Sequence, residues 1–191
     1  MYPQSGPAEK HVGLHNNGAW FLLNVPIESK SVDKIMQCTD KFGWPFAIEE
    51  CGKERREEII EMYEIFSPKP IAQGLPPLDD AERLAWIDKL LVCGRNFLAW
   101  QEGRVVGHAS LVADFDRQDA EYIIFVDQPY RNRGLGSELS ALAVETARKL
   151  GLQSLWLTVE SYNFRAIRVY RKVGFQFCDE CERERVMILR L

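Results

Sequence analysis

From residue 44 onward the apolar positions switch between two periods, and each switch marks an element. In "WPFAIEEC" (44–51) Phe46 and Ile48 recur every second residue, which is the strand period. Ile59, Met62, Tyr63 and Phe66 then recur at helical spacing through "KERREEIIEMYEIF". The proline-rich "SPKPIAQGLPP" (67–77) stops that pattern. "LDDAERLAWIDKLL" resumes it, with acidic residues in the first turn, where the helix dipole favours them, and Leu84, Ile87, Leu90 and Leu91 as the apolar face. "NFLAWQEGRVVGHASLVAD" reads as two strands joined by a tight turn at "EGR", and "AEYIIFV" (120–126) as a third. Leu135, Leu139, Leu142, Ala143, Ala147 and Leu150 draw one face of the next helix, with Glu145 and Lys149 an i,i+4 pair on its outer side. "LQSLWLTVE" predicts a buried strand, "NFRAIRVYRKV" a helix stopped by "GF", and "FQFCDECERERVMILRL" a closing hairpin.

Before residue 44 the signal is thinner. Residues 1–18, rich in Gly, Asn, Pro and His without periodicity, read as a loosely docked tail. "AWFLLNVPI" (19–27) reads as a strand and "VDKIMQCTDKF" (32–42) as a short helix. The division expected is an N-terminal extension, 1–43, followed by one domain, 44–191. Hairpins mixed with one β-α-β crossover predict an α+β fold: a mixed, mostly antiparallel sheet with helices on both faces.

The stretch "YRNRGLGSEL" (130–139) stands where the strand 120–126 gives way to a helix. Gly134 and Gly136 remove side chains there, so a ligand can approach backbone N–H groups that lack intrahelical partners and carry partial positive charge. A diphosphate is the natural guest, with Arg131 and Arg133 adding charge-assisted hydrogen bonds. Neither a Walker A sequence nor G-x-G-x-x-G is present. A second motif lies one strand further on. In "NFRAIRVYRKVGF" (163–175), Asn163 opens a helix, Tyr170 follows seven residues later, and Gly174-Phe175 closes it.

These two elements, in this order and spacing, closely resemble the GNAT superfamily of acyl-CoA N-acyltransferases, over about residues 45–191 and most strongly over 120–175. The resemblance implies that backbone amides from Arg131 through Asn132, Arg133, Gly134 and Leu135 to Gly136 wrap the pyrophosphate of acetyl-CoA. It also implies that Ile124 and Val126 lend main-chain groups to the pantetheine arm, that Asn163 contacts that arm, and that Tyr170 protonates the departing thiolate. An acetyl group would pass directly to an amine on a small molecule or peptide, with a backbone N–H of 120–126 holding the oxyanion. Relatives that carry a strand base place it at positions matching 120 or 122, where this chain has Ala120 and Tyr122. Glu121 is one residue out of phase and points to the opposite face, so a water relay or another loop's carboxylate is the expected base. A non-catalytic acyl-CoA sensor on the same fold is the alternative.

Composition narrows the remaining classes. The chain has 191 residues, 46% hydrophobic and 27% charged, enough for one domain with a core. A net charge of -4 opposes non-specific nucleic-acid binding. There is no apolar run of membrane-spanning length and no secretory signal pattern, so a cytoplasmic protein off the membrane is expected, with a homodimer left open. Five irregularly spaced cysteines suggest reduced thiols. Cys178 and Cys181 form one C-x-x-C without a second half, so no metal is expected, and a thiol or zinc protein is the other alternative. The acidic run Asp114, Asp116, Asp119 and Glu121 reads as a solvated loop, and His108 as structural.

Overall fold

The computed structural model describes residues 35–66, 76–178 and 184–191. The expected tail, the strand at 19–27, most of the proline-rich break and Cys181 lie outside the described residues. Eight strands form one sheet in the order β1-β2-β3-β4-β5-β6-β8-β7. They are β1 (Met36–Thr39), β2 (Pro45–Cys51), β3 (Gly94–Gln101), β4 (Arg104–Asp114), β5 (Asp119–Val126), β6 (Ser154–Glu160), β7 (Gln176–Phe177) and β8 (Glu184–Arg190). Every neighbouring pair is antiparallel except β5 and β6. The expected mixed, mostly antiparallel sheet is therefore present.

Helices cover both faces. α1 (Arg56–Ile65) and α2 (Asp80–Cys93) enclose one core with Leu98, Val105 and Ile123 of the sheet. α3 (Leu135–Lys149) and α4 (Phe164–Lys172) enclose a second with Phe97, Ala109, Leu111, Tyr122 and Leu155. The predicted turn between β3 and β4 is the two-residue Glu102-Gly103, both at positive φ (54° and 76°), the mirror-image geometry that matches strand twist.

Two expectations change. Residues 36–39 form a strand paired with β2, not part of a helix. Met36 and Cys38 pack against the core while Gln37 and Thr39 stay exposed, a period of two that four residues show too briefly to be recognised. α2 buries Ile87, Leu90 and Leu91 of its predicted face but adds Arg83 and Trp86, while Leu84 remains 36% exposed. Arg83 goes inside because its guanidinium finds Pro77 O, Leu78 O and the Asp80 carboxylate. A buried charge so satisfied loses little.

Candidate active site

β5 pairs with β4 along its whole length, and β6 pairs with β8 along its whole length. Between β5 and β6, however, pairing covers only Asp119↔Ser154, Ala120↔Leu155 and Glu121↔Trp156. Beyond Glu121 the two strands diverge and leave a wedge. Asp127 N–H donates to Val106 O, which fixes the hydrogen-bonding phase of the β4–β5 ladder. The main-chain groups of Ile124 and Val126 therefore turn away from β4 and toward the wedge. Val126 O is taken by Arg131 Nε at 2.7 Å, while its N–H and both groups of Ile124 face the gap.

At the wide end of the wedge the chain makes a short 3-10 turn, Gln128–Tyr130, capped by the Asp127 carboxylate on Gln128 N–H. It then passes through two left-handed residues, Asn132 (φ 63°) and Gly134 (φ 110°), before α3 begins at Leu135. Alternating handedness of this kind turns consecutive N–H groups to one side as an anion nest. The N–H groups of 132–136 donate to no backbone carbonyl among the described residues. A Cβ on Gly136 would meet Val126, Ile124 and Val169 only at 3.8–4.0 Å, so packing does not demand glycine there. A small residue at 136 keeps space open on the ligand side.

The two arginines of the motif face inward. Arg133 Nε pairs with Asp40 Oδ2 at 2.6 Å, and its guanidinium lies 5.2 Å from the Tyr130 ring centroid. Arg104 lies at the same distance from that ring and pairs with Asp127. Arg131 lies 5.3 Å from the Phe66 ring besides bonding Val126 O. Burial pulls its basicity down. Each guanidinium is thus anchored at Nε, by a carbonyl or by the Asp40 carboxylate, and lies against an aromatic face.

On the α3/α4 face, Tyr170 is 8% exposed and packs on Tyr122 and Phe175 with ring centroids 6.4 and 5.9 Å away. Its hydroxyl makes no hydrogen bond among the described residues, and burial pushes its pKa above the ordinary tyrosine value. Tyr122 donates instead to Ser140 Oγ at 2.9 Å, since Ser140 gives its own proton to Gly136 O at 2.7 Å. That chain ties β5 to the first turn of α3. Asn163 caps α4 through Ala166 N–H at 3.2 Å and is otherwise exposed, its amide NH2 open to solvent.

On the α1/α2 face, Glu121 shares its side of β5 with Ile123 and Phe125. Burial raises its pKa from the usual carboxylate range to about 7. Strand alternation correctly places it opposite Tyr122; its burial at the last paired position before the wedge was not visible from spacing. Nearby, His108 Nδ1 meets Tyr63 OH at 2.8 Å and Nε2 meets Asn96 Oδ1 at 3.0 Å. The Asn96 NH2 donates to Leu90 O and Gly94 O, so its oxygen accepts from His108 Nε2–H, and Tyr63 donates to Nδ1. Burial pulls this imidazole down to about 3, and both nitrogens are engaged, as expected of a structural histidine. Among the described residues no three His, Cys, Asp or Glu side chains gather as metal ligands, and no helix is long and apolar enough to cross a membrane.

Comparisons with known proteins place this arrangement. The L-methionine sulfoximine/L-methionine sulfone acetyltransferase of Pseudomonas paraeruginosa is 33% identical over 106 residues, which cover 52% of this chain and 62% of that protein. The chain thus spans about three fifths of that relative's length. Among solved structures, the GNAT domain of S. lividans PAT matches with a TM-score of 0.71 at 16% identity, over 82% of this chain and 97% of that one. The PaiA N-acetyltransferase of Thermoplasma acidophilum, solved with coenzyme A, matches with a TM-score of 0.60 at 19% identity, over 76% and 99%. The model of the acetyltransferase (GNAT) family matches residues 59–175, from α1 through both motifs to Phe175. The chain belongs to the GNAT acetyltransferase family.

Proposed function

We propose that this protein transfers the acetyl group of acetyl-CoA to the primary amine of a small, amino-acid-like acceptor. The observation that carries the reading is the continuous path from the N–H groups of 132–136 to the unpaired edge of β5 at Ile124 and Val126. A diphosphate in the nest would lay the pantetheine arm along that edge, with Asn163 at its side. This brings the thioester to the apex of the wedge, between the Tyr170 face and the Glu121 face.

The reaction balances in four movements. The amine lone pair attacks the thioester carbonyl carbon, and the carbonyl oxygen becomes an oxyanion held by an N–H of Ile124 or Val126. Glu121 takes the proton that the attacking nitrogen sheds. The carbon–sulfur bond then breaks, leaving the amide. Tyr170 gives its proton to the thiolate, and CoA leaves as the thiol. Glu121 suits its step because a carboxylate titrating near neutrality can both hold and release a proton at working pH. This assignment is preferred to the expected water relay because Glu121 lies on the α1/α2 face, opposite Tyr170, at the last paired position before the wedge. The acceptor class follows the Pseudomonas relative, named for two amino-acid derivatives, L-methionine sulfoximine and L-methionine sulfone.

The test is thiol release from acetyl-CoA over a panel of amino acids, methionine sulfoximine, polyamines, and peptides with free N-termini or lysines. Turnover on amino-acid-like amines, lost in Tyr170→Phe and Glu121→Gln, is expected. Turnover confined to peptides overturns the acceptor class. Tight CoA binding with no turnover on any amine overturns catalysis and leaves a sensor.

A further inference from the structure

The turn between β1 and β2 lies outside both motifs, yet it holds the nest at two points. Lys41 N–H donates to Arg133 O at 2.8 Å, and the preceding Asp40 accepts from Arg133 Nε at 2.6 Å. Arg133 stands between the two left-handed residues, Asn132 and Gly134, so fixing its main chain and side chain fixes the handedness of both neighbours. Asp40 is itself immobilised. Its other oxygen accepts from Phe42 N–H and Trp44 N–H, each at 2.9 Å, and Asp40 N–H donates to Trp44 O at 2.9 Å. Asp40 is 6% exposed. Burial pushes its pKa up, but the N–H groups of Trp44 and Phe42 and the Arg133 guanidinium outweigh it, and the carboxyl stays below its usual range. The clamp is thus ionised at any physiological pH.

Charge points to a second role for the same turn. Arg131 and Arg133 each engage Nε with an internal partner, Val126 O and Asp40 Oδ2, which anchors both guanidinium groups to the frame of the loop. Lys41 packs its stem against the nest: its Cγ is 3.8 Å from where a Cβ on Gly134 would stand. Its ammonium, three bonds further along an exposed side chain, has no ion-pair partner among the described residues. An ammonium beside a nest of N–H groups strengthens anion binding as a point charge.

We propose that residues 40–44 are a working part of the donor site: Asp40 is a positioning residue that holds the 131–134 loop in its anion-receiving shape, and Lys41 contacts the diphosphate. This rests on the acetyl-CoA reading above. It predicts an effect confined to donors that carry a diphosphate, which a general loss of folding would not produce. The experiment compares acetyl-CoA with S-acetylpantetheine, which has the same thioester and arm without the diphosphate, in the wild type, Lys41→Gln and Asp40→Asn. CoA and pantetheine binding by calorimetry runs in parallel, so the readout does not depend on finding the acceptor.

In Lys41→Gln the preference for acetyl-CoA over S-acetylpantetheine is expected to fall about tenfold, the size of one charge-assisted contact. It is expected to fall further in Asp40→Asn, with the loss in KM rather than kcat. Raising salt should weaken CoA binding less in Lys41→Gln than in the wild type. If Asp40→Asn fails to fold, the exposed Lys41→Gln still decides the matter. An unchanged donor preference in Lys41→Gln overturns the contact, and equal losses on both donors in Asp40→Asn overturn the positioning role. Absence of CoA binding by the wild type would instead sink the acetyl-CoA reading itself.

Discussion

Glu121 is a carboxylate with no ion-pair partner among the described residues, held on the α1/α2 side of β5 with a pKa raised to about 7 by burial. Because the folded value lies above the unfolded one, its contribution to stability is complete below about pH 4 and is lost as pH rises through about 7. Glu121→Gln is therefore expected to stabilise the fold at pH 8, by up to about 3 kcal/mol, and to change little at pH 4. Thermal unfolding at the two pH values checks this. If Glu121 takes the amine proton, the same variant loses about 10²-fold or more in kcat and loses the acidic limb of the pH–rate profile near pH 7. A variant that is more stable but slower marks a residue held for chemistry. Tyr170→Phe keeps the ring on Tyr122 and Phe175, so it is expected to unfold within about 1 kcal/mol of the wild type while kcat falls about 10-fold or more. The helix that carries Tyr170 was legible from Asn163 at its start and Gly174-Phe175 at its end. The side chosen by Glu121 was legible too, from alternation, but its burial depends on α1 and α2 closing over β5.

The loop between β5 and α3 separates two reasons for glycine. Gly134 lies at φ 110°, a conformation only glycine adopts without strain, so Gly134→Ala is expected to cost about 1–2 kcal/mol. Gly136 is inside the helix with room for a methyl group, so Gly136→Ala is expected to be neutral or to gain up to about 1 kcal/mol from helix propensity. Paired denaturant melts distinguish the two. Periodicity found these elements because each buries one face over several turns or alternations. It missed β1, which offers four residues, and on α2 it found Ile87, Leu90 and Leu91 but took Leu84 for Arg83 and Trp86 at the edge of the buried face. There a buried arginine is paired with two carbonyls and Asp80, a partnership hydropathy does not record. The internal contact of Arg133 was hidden for a related reason. Its clustering with Arg131 was plain, but Asp40 lies 93 residues away from Arg133 in the chain.

At the scale of the molecule, one sheet joins two cores, and its adjacent strands β5 and β6 part beyond Glu121. Strand pairing is a tertiary event, so the spacing of residues in β5 and β6 could not reveal where it stops. In the absence of ligand the amides of Ile124 and Val126 are expected to exchange hydrogen faster than those of Ile123 and Phe125, whose partners are on β4. CoA should slow the first pair selectively, as mass spectrometry after site-resolved fragmentation would show. Exchange at 124 and 126 unaffected by CoA would exclude that edge as the thioester's resting place.

Neighbouring residues of β5 at the end of its pairing with β6 serve different faces of the sheet: Tyr122 lies under α3 and α4, Glu121 on the side of α1 and α2. If the donor is gripped from the first side and the acceptor meets Glu121 on the second, as proposed above, neither must depart before the other arrives. That division favours a ternary complex over a substituted-enzyme route, and initial-rate lines at varied donor and acceptor should intersect rather than run parallel. On the same proposal the two faces can diverge independently: changes in α1, α2 or their connection would retune which amine is admitted and leave the proposed donor nest at 132–136 unchanged.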